Sequence, residues 1–126
     1  MEKQKYAAIV LAAGSGKRMN SKVHKQYLII QDRPVLYYSL KAFEDSAVDE
    51  IVLVVGKGEE KFCRKEIVDK YGISKVKAIV EGGKERYHSV FEGLKQTSDA
   101  DYVLIHDGAR PFVNQEIIRR CMLEAV

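Results

Sequence analysis

The segment LAAGSGKRMNSKVHKQY, Leu11 to Tyr27, runs from an apolar stretch through two glycines into four basic residues, Lys17, Arg18, Lys22 and Lys25. Gly14 and Gly16 permit positive φ and let peptide N–H groups come close to an anion. Two familiar phosphate loops do not fit. A dinucleotide fingerprint requires a third glycine where Met19 stands, and no acidic ribose ligand follows at the right strand end. A P-loop requires four residues between its first glycine and Gly-Lys, followed by Ser or Thr; here one residue intervenes and Arg18 follows. A nicotinamide-dependent dehydrogenase is disfavoured on the same ground.

Two further glycine turns carry complementary chemistry. EGGKER, Glu81 to Arg86, opens a helical pattern with Ser89 one turn in, and a helix N-terminus presents unpaired N–H groups to an anion or a nucleobase edge. HDGARP, His106 to Pro111, puts Asp107 beside a glycine at the end of an apolar run, where a carboxylate suits a magnesium ion that itself holds a polyphosphate. Taken singly, each has a structural account: a solvated charge run, a turn or cap at Asp107, a surface ion pair at Arg110. Taken together, they point to a nucleoside triphosphate site.

Such turns need strands to converge. Apolar runs at Ala7–Ala13, Ile51–Gly56, Val76–Val80 and Tyr102–His106 lack in/out alternation, as strands covered on both faces do. Between them lie helical stripes. Pro34 suits a first helical residue, and Val35, Leu36, Ser39, Leu40 and Phe43 follow on one face. Phe62, Ile67 and Tyr71 mark a second helix, and Tyr87, Val90, Phe91 and Leu94 a third. Ile117, Ile118, Cys121, Met122 and Ala125 form a fourth stripe after a cap at Asn114. The order is β-α-β-α-β-α-β-α, an open parallel α/β sheet with right-handed crossovers. In such sheets ligands bind beyond the carboxyl ends of the strands, where all three turns fall.

The chain has 126 residues, enough for one domain, and 21 basic against 18 acidic residues leave a net charge of only +3. That balance lacks the basic stripe of a nucleic-acid binder. The longest apolar run, Tyr6 to Ala13, is too short to cross a membrane, and the N-terminus lacks the pattern of a signal peptide. Cys63 and Cys121 have no metal-ligand spacing and read as buried thiols of a cytoplasmic protein. The last stripe runs to Val126 without a stop signal, so the chain is expected to be truncated there.

LAAGSGKRM (Leu11–Met19), KQY (Lys25–Tyr27), GGKERYHSV (Gly82–Val90) and VLIHDGARP (Val103–Pro111) together closely resemble the 2-C-methyl-D-erythritol 4-phosphate cytidylyltransferases of non-mevalonate isoprenoid biosynthesis. The first motif alone would indicate only the wider sugar-nucleotide transferase superfamily; the others narrow it. The resemblance implies an open, mostly parallel Rossmann-like sheet with helices on both faces, of the nucleotide-diphospho-sugar transferase type. It implies a single CTP-binding domain over residues 1–126, incomplete because the family's dimerisation arm is missing, and a parent that is a homodimer. It also implies transfer of a cytidylyl group from CTP to methylerythritol phosphate, with Mg2+ or another divalent cation and no nucleic-acid or membrane partner. Arg18 and Lys25 match the catalytic basic pair at the α-phosphate. Ala13, Gly14, Gly83 and Ser89 match positions that hold CTP, and Gly16 and Arg86 lie in the same motifs. Asp107 matches the residue on the metal and ribose side, and Ala109 and Arg110 fall in the substrate-side segment, Arg110 toward the acceptor.

Lys17 and Lys22 read equally well as exposed side chains, and Tyr27 as packing under the loop. His88 and His106 read as packing or surface residues, because the reaction has no obvious proton to move; the role of Lys84 is open. One alternative is a ribitol 5-phosphate cytidylyltransferase, whose first loop more commonly begins Leu-Ala-Gly-Gly. A second is a CTP-binding fragment that does not turn over as it stands.

Overall fold

Tyr6–Ala12 (β1) carries six successive buried residues after Tyr6, too many apolar side chains in a row for a strand with a wet face. In the computed structural model, which describes residues 4–12, 29–30, 33–108 and 118–120, β1 is buried by flanking strands. Ile29–Ile30 (β2) and Arg33–Pro34 (β3) form a short antiparallel pair, followed by the helix Val35–Glu44 (α1). Glu50–Val55 (β4) leads to Glu60–Cys63 (α2), which continues as a π-helical stretch over Arg64–Asp69. Val76–Glu81 (β5), Arg86–Lys95 (α3) and Tyr102–Asp107 (β6) follow, and residues 118–120 are again helical.

The main sheet has the order β5-β4-β1-β6, and each pairing in it is parallel. One face packs Val10, Ile51 and Leu53 against Leu36, Leu40 and Phe43 of α1, Cys63 and Ile67, and Ile118. The opposite face packs Ile9, Leu11, Val52 and Val54 with Val90 of α3. The expected open parallel α/β sheet with helices on both faces is therefore what the chain forms. The expected strands match to within a residue at each described end. Ala13 lies outside the described residues, as do Cys121 and the Asn114 cap; Cys63 is a buried thiol and Ile118 is in the core.

Three details differ from the sequence expectation. Pro34 is not the first helical residue but the residue before it, at φ −61° and ψ 146°: its ring fixes φ at a value common to helix and extended chain, and ψ keeps it paired in β3. All five expected residues of the α1 stripe are nevertheless buried. The short β2–β3 pair was not expected, because two-residue strands are too brief to show a period. The third helix forms where expected but is turned about its axis: Val90 packs on the sheet as expected, whereas Tyr87, Phe91 and Leu94 are 68%, 59% and 42% exposed, and the buried residues are Ser89 and Gly93. A helix lying close against a sheet selects small residues at the contact. A Cβ on Gly93 would stand 2.7 Å from Cγ2 of Ile9.

At the amino edge of the sheet, charges from separate segments interlock. Glu50, nearly buried at the start of β4, meets Lys5 at 3.4 Å and Lys77 at 3.3 Å, and both lysines also reach Asp99, at 2.6 and 3.6 Å. The hydrogen bond between Lys5 and Asp99 raises the lysine pKa and lowers that of the aspartate. Near this edge, Glu44 at the end of α1 accepts hydrogen bonds from the Ser74 hydroxyl and from the Lys75 N–H, the latter at 2.8 Å. Burial pushes the Glu44 carboxyl up, but these donors and the Lys75 charge together hold it below its ordinary 4.5. A depressed folded-state pKa contributes stability above the unfolded value and loses it as pH falls through the folded one. Glu44→Gln is therefore expected to lower stability at pH 7 by about 1 kcal/mol, with the gap from the parent closing below pH 4.5. Thermal melts of both proteins at pH 7 and pH 3.5 check this; a gap that persists in acid would refute the assigned interaction.

Candidate functional site

Parallel register brings the strand ends that lead into the chemistry-bearing turns to one edge. Glu81 pairs with Val55, Val55 with Ala12, and Leu11 with Asp107, so the strand exits stand side by side across the carboxyl edge. Backbone hydrogen bonds carry this alignment past the strands: Gly82 N–H donates to the Val55 carbonyl at 2.8 Å and Gly108 N–H to the Leu11 carbonyl at 2.7 Å. The Glu81 carboxylate accepts the Gly58 N–H at 2.6 Å, tying the loop after β4 to the end of β5. Glu81 was not singled out from the sequence; an acidic strand end facing a glycine loop was its only signal.

The Gly83 turn leads into α3 through a capping box between Glu85 and His88, with the Glu85 N–H donating to Nδ1 of His88 at 3.3 Å. The positive end of the α3 macrodipole therefore lies at the edge where the strand exits meet. Arg86, the first residue of α3, reaches across to the end of β6, its Nε 3.7 Å from Oδ1 of Asp107. Both groups are well exposed, so this ion pair is weak and readily exchanged for a bound ligand. Ser89 is buried one turn into the helix. Four expected site residues, Gly83, Arg86, Ser89 and Asp107, thus gather at α3 and the neighbouring strand exit. Ala13, Gly14, Gly16, Arg18, Lys25, Ala109 and Arg110 lie outside the described residues, as do Lys17, Lys22 and Tyr27. Lys84 is exposed on the turn, and His106 points to the opposite face, edge-on to Phe43 at 5.6 Å between centroids.

The donor set bears on any metal. Among the described residues there is no group of three or more His, Cys, Asp or Glu side chains that could hold an ion. Among the described residues Asp107 is one accessible carboxylate rather than part of a cage. Such an arrangement fits a hard cation that takes most of its oxygen ligands from substrate phosphates and water. The edge can offer peptide N–H groups to an anion or base, the Arg86 guanidinium and the Asp107 carboxylate, with the Glu81 carboxylate engaged by the Gly58 N–H.

Known proteins share both sequence and fold with this chain. The family model for 2-C-methyl-D-erythritol 4-phosphate cytidylyltransferase matches residues 6–126. A protein of that name from Lachnoclostridium phytofermentans is 54% identical over 121 residues, covering 96% of this chain and 52% of the relative. Another from Lachnospira eligens is 56% identical over 115 residues, covering 90% and 50%. Among solved structures, 4-diphosphocytidyl-2C-methyl-D-erythritol synthase from Anaerococcus prevotii superposes with a TM-score of 0.78 at 32% identity, over 96% of this chain and 50% of that one. The chain spans about half the length of the curated relatives it matches. With the Gly83 turn and Asp107 at one sheet edge and the family match running from the first strand to the last residue, the chain belongs to the 2-C-methyl-D-erythritol 4-phosphate cytidylyltransferase family.

Proposed function

We propose that the protein serves cytidylyl transfer from CTP to 2-C-methyl-D-erythritol 4-phosphate. A phosphate oxygen of the acceptor attacks the α-phosphorus in line, and a new P–O bond forms. The bond from the α-phosphorus to the oxygen bridging the β-phosphate breaks, and pyrophosphate leaves with the electron pair, giving 4-diphosphocytidyl-2-C-methyl-D-erythritol. What supports this reading most is the register that sets the Gly83 turn, the first-loop exit and Asp107 along one edge, in a chain of this family.

The attacking oxygen is already anionic, so the protein's task is alignment of two polyanions and stabilisation of charge at the α-phosphorus. In this reading the Gly83 turn and Ser89 receive the cytosine, and Ala13, Gly14 and Gly16 offer backbone N–H groups to the triphosphate. Arg18 gives forked donors and Lys25 a mobile point charge at the α-phosphate. Arg86 exchanges Asp107 for the nucleotide, Ala109 belongs to the CTP-binding set and Arg110 serves the acceptor. Asp107 would hold magnesium or another divalent cation, which when bound supplies charge neutralisation to the triphosphate. One nucleotide-binding domain, a homodimer and a cytoplasmic setting belong to the same reading. Among the described residues no helix is long and apolar enough to cross a membrane. The ribitol phosphate alternative is not favoured, since the matched relatives carry the methylerythritol name.

Calorimetric titration of the chain with CTP and magnesium, with ATP and NADH as controls, tests the nucleotide half of the proposal. Selective CTP binding is expected. A folded chain that binds ATP or NADH as well as CTP would overturn the assignment of the Gly83 turn to cytosine.

A further inference from the structure

The Gly83 turn is pinned at three points, and two of them belong to one side chain. Upstream, the Gly82 N–H is fixed on the Val55 carbonyl at 2.8 Å. Downstream, the Glu85 N–H is fixed on Nδ1 of His88 at 3.3 Å. Between them, the Gly83 backbone rests on the same histidine: a Cβ built on Gly83 would stand 2.2 Å from Cβ of His88 and 2.9 Å from its Cγ. The imidazole is itself held from outside by the Tyr87 ring, 4.2 Å away between centroids. An accepting Nδ1 requires the tautomer with its proton on Nε2. Capping boxes ordinarily use Glu or Gln at this helical position, whose longer side chains leave Cγ flexible. A histidine is shorter and planar, and here it fills the space that the missing Gly83 side chain leaves.

We infer that His88 is a positioning residue that sets the shape of the Gly83 turn and thereby the selectivity of the site for a cytosine base. This rests on the cytidylyl reading of the site, since it is that reading that places the base at the turn. His88 contributes no charge to the reaction and moves no proton. It acts through the peptide groups of Gly83 to Glu85, whose directions decide which base edge finds donors and acceptors there.

Two variants separate this role from general packing. His88→Leu keeps the Cβ contact and the helix but removes the acceptor. His88→Asn restores an acceptor, Oδ1, at the same number of bonds from Cα as Nδ1. In calorimetric titrations with CTP and with ATP, His88→Leu is expected to lower the CTP-over-ATP affinity ratio by about tenfold, the equivalent of one ordered hydrogen bond. His88→Asn should stay within about twofold to threefold of the parent. Amide hydrogen exchange read by NMR should accelerate at Glu85 by about tenfold in His88→Leu and not in His88→Asn, with the Val52 amide as an internal check that the sheet is intact. The proposal is overturned if the affinity ratio is unchanged in His88→Leu, if Glu85 exchange is unchanged, or if Asn fails as Leu does. Should the parent bind no CTP, the cytidylyl reading itself has failed; Glu85 exchange still decides whether His88 holds the turn.

Discussion

Gly93→Leu is expected to destabilise the protein by about 3 kcal/mol or more. Gly93 is buried where α3 crosses the sheet, and a Cβ there would stand 2.7 Å from Cγ2 and 3.1 Å from Cδ1 of Ile9. Ile9 cannot withdraw: it is fully buried in β1, which pairs with β4 on one side and β6 on the other. Replacing glycine gains about 1 kcal/mol of helix propensity, less than the overpacking it forces. In a domain of this size, 3 kcal/mol corresponds to a fall in Tm of roughly 12 °C or more. Displacement of α3 also carries Ser89 and the Gly83 turn away from the strand exits, so CTP binding is expected to weaken in parallel. A melt within about 2 °C of the parent would show that the helix does not sit on Ile9 as described.

Lys25→Ala or Arg18→Ala, made in a chain carrying the full length of its relatives, is expected to lower kcat by about 100-fold or more. The effect should fall on kcat more than on KM, because charge on the equatorial oxygens of the α-phosphorus grows toward the transition state and a fixed cation is worth most there. Arg18→Lys should recover only part of the loss, since an ammonium does not reproduce a planar fork of donors. Steady-state kinetics with CTP and methylerythritol phosphate measure it. Near-normal kcat in either alanine variant would remove that residue from the reacting phosphate.

Much of the architecture was legible in the sequence because buried parallel strands leave a plain mark. Tyr6–Ala12 and residues 51–55 are continuous apolar runs, and no loop or amphipathic helix reads that way. The α1 stripe was legible for a related reason, its apolar residues being also its buried ones. The third helix shows where periodicity stops. Of the apolar residues Tyr87, Val90, Phe91 and Leu94 only Val90 packs on the sheet, beside the buried Ser89 and Gly93, and hydropathy does not distinguish closeness of approach from exposure. The interlock of Lys5, Glu50, Lys77 and Asp99 was illegible because its members come from four distant segments, joined only when the sheet forms. Within the site, the glycine turns and Asp107 announced themselves by residue type. His88 did not, because its contribution is the space beside Gly83 and a single acceptor, neither of which has a motif.

The sheet's strand order also has a consequence in time. β1, the first of the described strands in chain order, lies between β4 and β6, and the bond joining the start of β1 to the β6 side, Lys5 N–H to Asp101 at 2.6 Å, spans 96 residues of chain. At synthesis rates of roughly 5–20 residues per second, the first strand waits about 5–20 s on the ribosome for that neighbour. During that interval α1 and β4 come first to cover it and α3 follows, so a β1-α1-β4 unit is the natural early structure. Pairing of β6 comes later and closes a long loop, which makes that step slow. It is that same step that carries Asp107 to the edge where Arg86 meets it. The nascent protein therefore has no Arg86–Asp107 contact until β6 has been made and docked.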